Sequence, residues 1–297
     1  MSNTQFDSAT LRRLAQQLED SERTHVQLRP YSIEHENFSI ADAYAVQAAW
    51  VKLKLDGGER SVKGHKIGLT SRAMQTSSGI NEPDSGILLD NMFYYDGAEI
   101  PMSTLIMPRI EVELAFILGK DLKGPDCTIF QVLDAADYVI PALEIIDSRF
   151  YMTPDPVTKK TRKVMDTIAD NACNAAIVMG GRPVKPNEHD LRWVSALLYK
   201  NAVIEESGVA AAVLNHPANG IAWLANKIAP NGEYLKKGQV VLAGSFTRPV
   251  FANAGDVFHV DYGPLGSIYC QFKKATLLKF EDSRSGTTNE CFQARLD

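Results

Sequence analysis

The chain has 297 residues, 45% of them hydrophobic and 23% charged, with a net charge of −5. Those values suit a globular protein of one large or two modest domains. The mild acidity, with no basic run, argues against a surface built for nucleic acid or anionic membranes.

The opening MSNTQFDSAT is polar and has no apolar signal core. No apolar run reaches the roughly 20 residues that span a bilayer, so the sequence predicts a soluble, cytoplasmic protein. DSATLRRLAQQLEDSE then places Leu11, Leu14 and Leu18 on one stripe, with Asp7 or Ser8 as N-cap. A polar stretch, LRPYSIEHENF, follows. SIADAYAVQAAWVKLKLDGG is a second helix: Ile40, Tyr44, Ala48, Val51 and Leu55 repeat at helical spacing. Ser39 caps its start, and Gly57-Gly58 ends it.

After Gly58, short apolar runs alternate with Gly, Pro and Asp clusters. IEVELAFIL, DYVIPALEII, NAAIVMG, QVVLAGSF and DVFHVDY…SIYCQF read as strands, the last pair flanking a turn at Gly263-Pro264-Leu265-Gly266. DLRWVSALLYKNAVIEESG reads as a strand hairpin. NHPANGIAWLANKIAP is a helix, with Asn215 as cap and Pro217 in its first turn. The fold class expected is α+β and β-rich: an N-terminal helical region over 1–59, a catalytic domain over 60–273 and a peripheral tail over 274–297. Strands and helices do not alternate regularly, so a doubly wound parallel sheet is not expected. Cys127, Cys173, Cys270 and Cys291 have neither CxxC nor zinc-finger spacing and read as free thiols.

Within PRIEVELAFIL, residues two apart share a strand face at roughly 7 Å. Glu111 and Glu113 therefore lie together, opposite Ile110, Val112 and Leu114. Two such carboxylates repel unless water screens them or a cation lies between them. A solvated polar face would explain this pair alone. Glu144, however, sits inside a second apolar strand, and glutamates are rarely buried without a partner. Three carboxylates make an oxygen-only site suited to Mg²⁺ or Mn²⁺. In GHKIGLTSRAMQ, Lys66 stands among apolar residues and Gly68 permits close approach of a ligand; a solvated lysine beside a turn is the plainer reading. Asp84 in NEPDSG is either a catalytic acid or a turn former. Ser245, Thr247 and Arg248 follow a strand, in a loop of the kind that binds ligands or merely connects. His65 and His216 are given no role.

The motifs GHKIGLTSRAMQ, EPDSGILLDNMF, PRIEVELAFIL, DYVIPALEIIDSR, ADNACNAA, AAVLNHPANGIAWLANK and GSFTRPV occur in that order. Together they resemble the hydratase and decarboxylase branch of the fumarylacetoacetate hydrolase superfamily, from about residue 8 to 272. The resemblance implies a mixed β fold behind the helical region and a Mg²⁺ (or Mn²⁺) site of Glu111, Glu113 and Glu144. It implies Lys66 and Asp84 as catalytic residues, with Leu69, Ser245, Thr247 and Arg248 binding substrate, and homo-oligomers built from dimers. It further implies water addition to a 2-oxo dicarboxylate in aromatic meta-cleavage catabolism. The far carboxylate needs a cation, for which Arg72, Arg149, Arg162 and Arg248 are candidates. A decarboxylase, a hydratase of a one-carboxylate substrate and a non-catalytic partner subunit are the alternatives.

Overall fold

The described part of the chain, residues 4–274 of this computed structural model, begins with three helices. They are α1 (Ser8–Thr24), α2 (Tyr31–Glu34) and α3 (Ile40–Asp56). Asp7, not Ser8, caps α1 by accepting from Thr10 N–H. Ser39 and Asp42 form a reciprocal capping box on α3, which satisfies two otherwise unpaired donors of its first turn. The expected α1 stripe is present, with Leu14 and Leu18 fully buried. On α3 the buried face differs from the predicted one. Ala43, Val46, Gln47, Trp50 and Val51 are buried, whereas Ile40 is exposed. This helix is covered on two sides, by α1 and by the strand region, so a single apolar stripe does not describe it. Gln47 Nε2 donates to the carbonyls of Ser85 and Ile168, at 2.8 and 2.9 Å, and ties the helix to the sheet.

The remaining chain runs through β1 (Val62–Gly68), α4 (Arg72–Ser78), β2 (Asp84–Leu89), β3 (Phe93–Tyr95), β4 (Ala98–Pro101) and β5 (Arg109–Leu118). Then come α5 (Ile129–Ala135), β6 (Ala136–Ile146), α6 (Val164–Ala169), β7 (Asn174–Met179), β8 (Ser195–Lys200) and β9 (Val203–Val209). The last elements are α7 (Pro217–Ile228), β10 (Val240–Leu242), β11 (Val250–Phe251), β12 (Val257–Asp261) and β13 (Ser267–Lys273). The predicted β8–β9 hairpin is present. The α7 cap is His216, whose Nδ1 accepts from Ala218 N–H; Asn215 instead takes a left-handed conformation just before it. Only Lys274 of the predicted tail lies within the described residues.

An eight-stranded sheet has the order β2-β1-β10-β5-β6-β7-β3, with β11 also on β5. A five-stranded sheet has the order β4-β13-β12-β8-β9. Most pairings are antiparallel, as expected for a mixed β fold. The main core lies between the sheets and beneath α5 and α7, and takes Ile110, Val112, Leu114 and Phe116 from β5. The eight-stranded sheet curls: Asn171, just before β7, exchanges hydrogen bonds with Ile87 of β2, five strands away, at 2.7 and 2.9 Å. Its concave face holds a smaller apolar cluster that includes Leu88, Ala115, Ala142, Ile177 and Leu242. Cys127, Cys173 and Cys270 are free thiols, and no helix among the described residues is long and apolar enough to cross a membrane.

Candidate active site

The register of three strand pairs assembles one cluster on the concave face. Glu111 lies directly opposite Glu144 across β5 and β6, with Glu113 one step further along. Lys66 pairs with Gly86, and Gly68 with Asp84, across β1 and β2. Directly opposed residues share a face, so alternation turns all of these acids and Lys66 inward.

One carboxylate oxygen from each of Glu111, Glu113 and Glu144 lies within 4.8 Å of the other two. Glu113 and Glu144 are buried, while Glu111 keeps part of its surface open and gives the cluster an accessible side. Lys66 Nζ is 3.2 Å from Glu144 Oε1. Asn174 Nδ2 donates to the same oxygen at 2.9 Å, and Gly244 N–H donates to Glu113 Oε2 at 2.8 Å. Gly244 is needed at this place: its φ is +117°, and a Cβ there would lie 2.3 Å from Thr70 Oγ1. The chain after β10 stays beside β5, with Ala243 and Phe246 donating to Leu114 and Val112, so Gly244 can reach Glu113.

Burial, and then the charge of Glu144, push Glu111 up to about 7. The same causes raise Glu113 well above the carboxylate range. Burial opposes the charge on Lys66, but Glu144, Asp84, Glu111 and Glu113 outweigh it and hold the side chain as an ammonium. Burial also raises Asp84, against the pull of Lys66. Both Asp84 carboxylate oxygens and Asn174 Oδ1 are buried without a hydrogen-bond partner.

Four carboxylates therefore face one ammonium. At an effective dielectric of about 20, two ionised carboxylates 4.8 Å apart repel by roughly 3.5 kcal/mol. A divalent cation relieves that repulsion, and an all-oxygen donor set suits a hard ion. The residues present thus fit a divalent metal.

Leu69, with φ +54°, leads the chain away from β1 and packs against the apolar cluster of the helical region. Thr247 Oγ1 accepts from Val112 N–H at 3.4 Å, and Ser245 Oγ donates to the Thr247 carbonyl at 3.0 Å. Arg248 is not brought to the cluster. It points to solvent and pairs with Glu206 at 2.8 Å, because the loop turns outward after Thr247. Arg149 is fully buried but committed to Asp170 and to the Asn174 carbonyl, and Arg72 lies on the exposed side of α4. Asn174 and Gly244 fall within the ADNACNAA and GSFTRPV motifs, but the glutamate that each one meets depends on which strands come together. Arg109 has one: it is two residues before Glu111 and shares its face. A separate cavity of about 520 Å³, lined in part by Glu19, Lys54, Ile106 and Arg149, contains none of the three glutamates.

Residues 64–273 match the family profile described as Fumarylacetoacetate (FAA) hydrolase C-terminal. The chain is 60% identical over 267 residues to the 2-oxo-hept-4-ene-1,7-dioate hydratase of Escherichia coli, covering 90% of this chain and 99% of that one. It is 38% identical to the 2-hydroxyhexa-2,4-dienoate hydratase of Comamonas testosteroni, over 92% and 99% of the two chains. Among solved structures, 4-oxalocrotonate decarboxylase from Pseudomonas putida G7, complexed with magnesium and adipate, superposes with a TM-score of 0.85 at 32% identity. That match covers 91% of this chain and all of the other.

Proposed function

This chain belongs to the fumarylacetoacetate hydrolase family, in its hydratase and decarboxylase branch, and from that premise we propose that it is a metal-dependent hydro-lyase. It adds water to 2-oxohept-4-ene-1,7-dioate, or its 2-hydroxydiene tautomer, to give 4-hydroxy-2-oxoheptanedioate. The observation that carries this reading is the buried trio Glu111, Glu113 and Glu144 in a chain 60% identical to the E. coli hydratase. The fold does not by itself separate hydratase from decarboxylase, since a decarboxylase superposes closely.

Glu111, Glu113 and Glu144 would hold Mg²⁺ or Mn²⁺, an ion whose chemistry is to stabilise the negative charge that builds on the 2-oxo oxygen. Gly244 N–H and Asn174 Nδ2 orient Glu113 and Glu144, and Lys66 neutralises the side of Glu144 that faces it. Asp84 moves the proton: its oxygens are buried, unpartnered and held by the β1–β2 ladder. Burial raises its pKa above the ordinary carboxylate value, which favours its exchange of a proton. Its task is to take the proton from C3 and deliver it to C5, which conjugates the double bond with the ketone, and then to assist water at C4. Leu69, Ser245 and Thr247 border the substrate. Residues 60–273 form the catalytic domain, and the helical region before it packs on it through α1–α3.

A place in cytoplasmic 4-hydroxyphenylacetate degradation agrees with the dioate named for the E. coli relative. Leu197, Val203, Ile204 and Val209, exposed on the β8–β9 hairpin, support a homo-oligomer built from dimers. The test is ultraviolet loss of the dienoate with and without Mg²⁺, beside a CO₂ assay on 2-oxohex-3-enedioate. Asp84→Asn is expected to keep divalent-ion binding and lose hydration by at least about 100-fold. Hydration at the wild-type rate in that variant, full activity in EDTA, or CO₂ release as the main reaction overturns the reading.

A further inference from the structure

Two guanidinium groups, one on the concave face and one in the loop before α6, form no ion pair with a carboxylate among the described residues. Arg109 opens β5 and, by alternation, lies on the face of Glu111 and Glu113. Its Nε is buried with no hydrogen-bond partner, and its guanidinium lies 5.6 Å from the centre of the Phe251 ring. Arg162 donates only to neutral groups, Ser148 Oγ at 3.1 Å and Cys173 Sγ at 3.4 Å. Arg109 pairs across the sheet with Ile146, two residues before Ser148, to whose hydroxyl Arg162 donates. The acids nearby are occupied: Asp147 accepts from the backbone N–H groups of Ile106, Met107 and Ser148, Asp170 is paired with Arg149, and Asp166 accepts from Ser32. Two half-buried cations side by side, with an orphaned donor, are arranged for a missing anion.

The position suits one end of a dicarboxylate. Arg109 is two strand residues from Glu111 on the same face, so a dioate held at the trio by its keto-acid end can turn its other carboxylate toward the long Arg109 side chain. Arg162 also lines a cavity of about 600 Å³ beside Ile80 and Val164. Those two residues border the smaller cavity at Asp84 as well.

We propose that Arg109, with Arg162 beside it, holds the distal carboxylate of the substrate and so sets the preference for a dioate over a monocarboxylate. This rests on the hydratase reading above, and the experiment separates the two. Wild-type enzyme with Mg²⁺ is assayed on the seven-carbon dienedioate and on 2-hydroxypenta-2,4-dienoate. The wild-type dioate rate tests the function, and the change in the dioate-to-monoate ratio of kcat/KM on substitution tests the arginine.

Arg109→Met is expected to lower that ratio about ten- to hundredfold, the worth of a charge-assisted hydrogen bond. The loss falls mainly on KM for the dioate, and kcat/KM for the monoate falls by less. Arg162→Met lowers the ratio in the same sense. Arg109→Lys restores part of it, since a point charge replaces the planar fork. If Arg109 merely offsets the acidic trio, both substrates suffer alike and Mg²⁺ affinity measured by calorimetry changes. That result overturns the proposal, as does a ratio within about twofold of wild type in both methionine variants.

Discussion

Gly68→Ala places the smallest available perturbation beside the proposed proton carrier. A Cβ at Gly68 would lie 2.3 Å from Asp84 Oδ1 and 3.2 Å from Lys66 Nζ. Ordinary contact begins near 3.4 Å, so the carboxylate oxygen must retreat by about 1.1 Å. Lys66 has a flexible end and can yield. Asp84 cannot easily do so, because it is 1% exposed and its backbone pairs with Gly68 itself. A misplacement of about 1 Å at a reacting group costs about 100-fold in rate, and the overpacking costs about 1–3 kcal/mol of stability. The assay is steady-state ultraviolet loss of the dienoate, with urea unfolding and Mg²⁺ calorimetry as controls. The expected outcome is kcat down about 100-fold, a folded protein, and Mg²⁺ affinity within a few-fold of wild type, since β5 and β6 are untouched. Wild-type kcat in folded Gly68→Ala would refute the claim that the position of Asp84 matters. Loss of Mg²⁺ binding in step with kcat would place the damage at the glutamates instead.

Asn174→Ala leaves Glu144 Oε1 with Lys66 as its remaining partner, so Mg²⁺ should bind about 10–100-fold more weakly by calorimetry. Arg248→Ala removes an exposed ion pair with Glu206; kcat/KM should stay within about twofold and stability within about 0.5 kcal/mol. Burial depresses His65 to about 4 from 6.5, so the unfolded chain takes up a proton first as pH falls. The stability of the neutral His65 is therefore complete above pH 6.5 and is lost as pH falls toward about 4. His65→Gln should flatten the decline in urea midpoint across that window relative to wild type.

Sequence alone determined the properties that belong to one element. Period-two alternation in β5 separates Glu111 and Glu113 from the core side chains Ile110, Val112 and Leu114, because strand geometry sends neighbours to opposite faces. The Ser39 cap, the α1 stripe and the β8–β9 hairpin follow likewise from backbone conformation over a few residues. The same alternation also places Arg109 beside the two acids. The ordered motifs pointed to the family, and with it to the acids that meet.

Tertiary structure decided what depends on register between distant segments. Glu144 faces Glu111 because β6 pairs with β5 in one alignment, and a one-residue slip would turn it to the other face. Asp84 reaches the cluster through its pairing with Gly68. Asn174 and Gly244 find their glutamates only once β7 and the segment after β10 are in place. Arg248 leaves the site, Arg149 is consumed by Asp170, and α3 buries a different face, each because a partner far along the chain takes the position. Such pairings depend on the relative energies of whole alignments, which local periodicity does not encode.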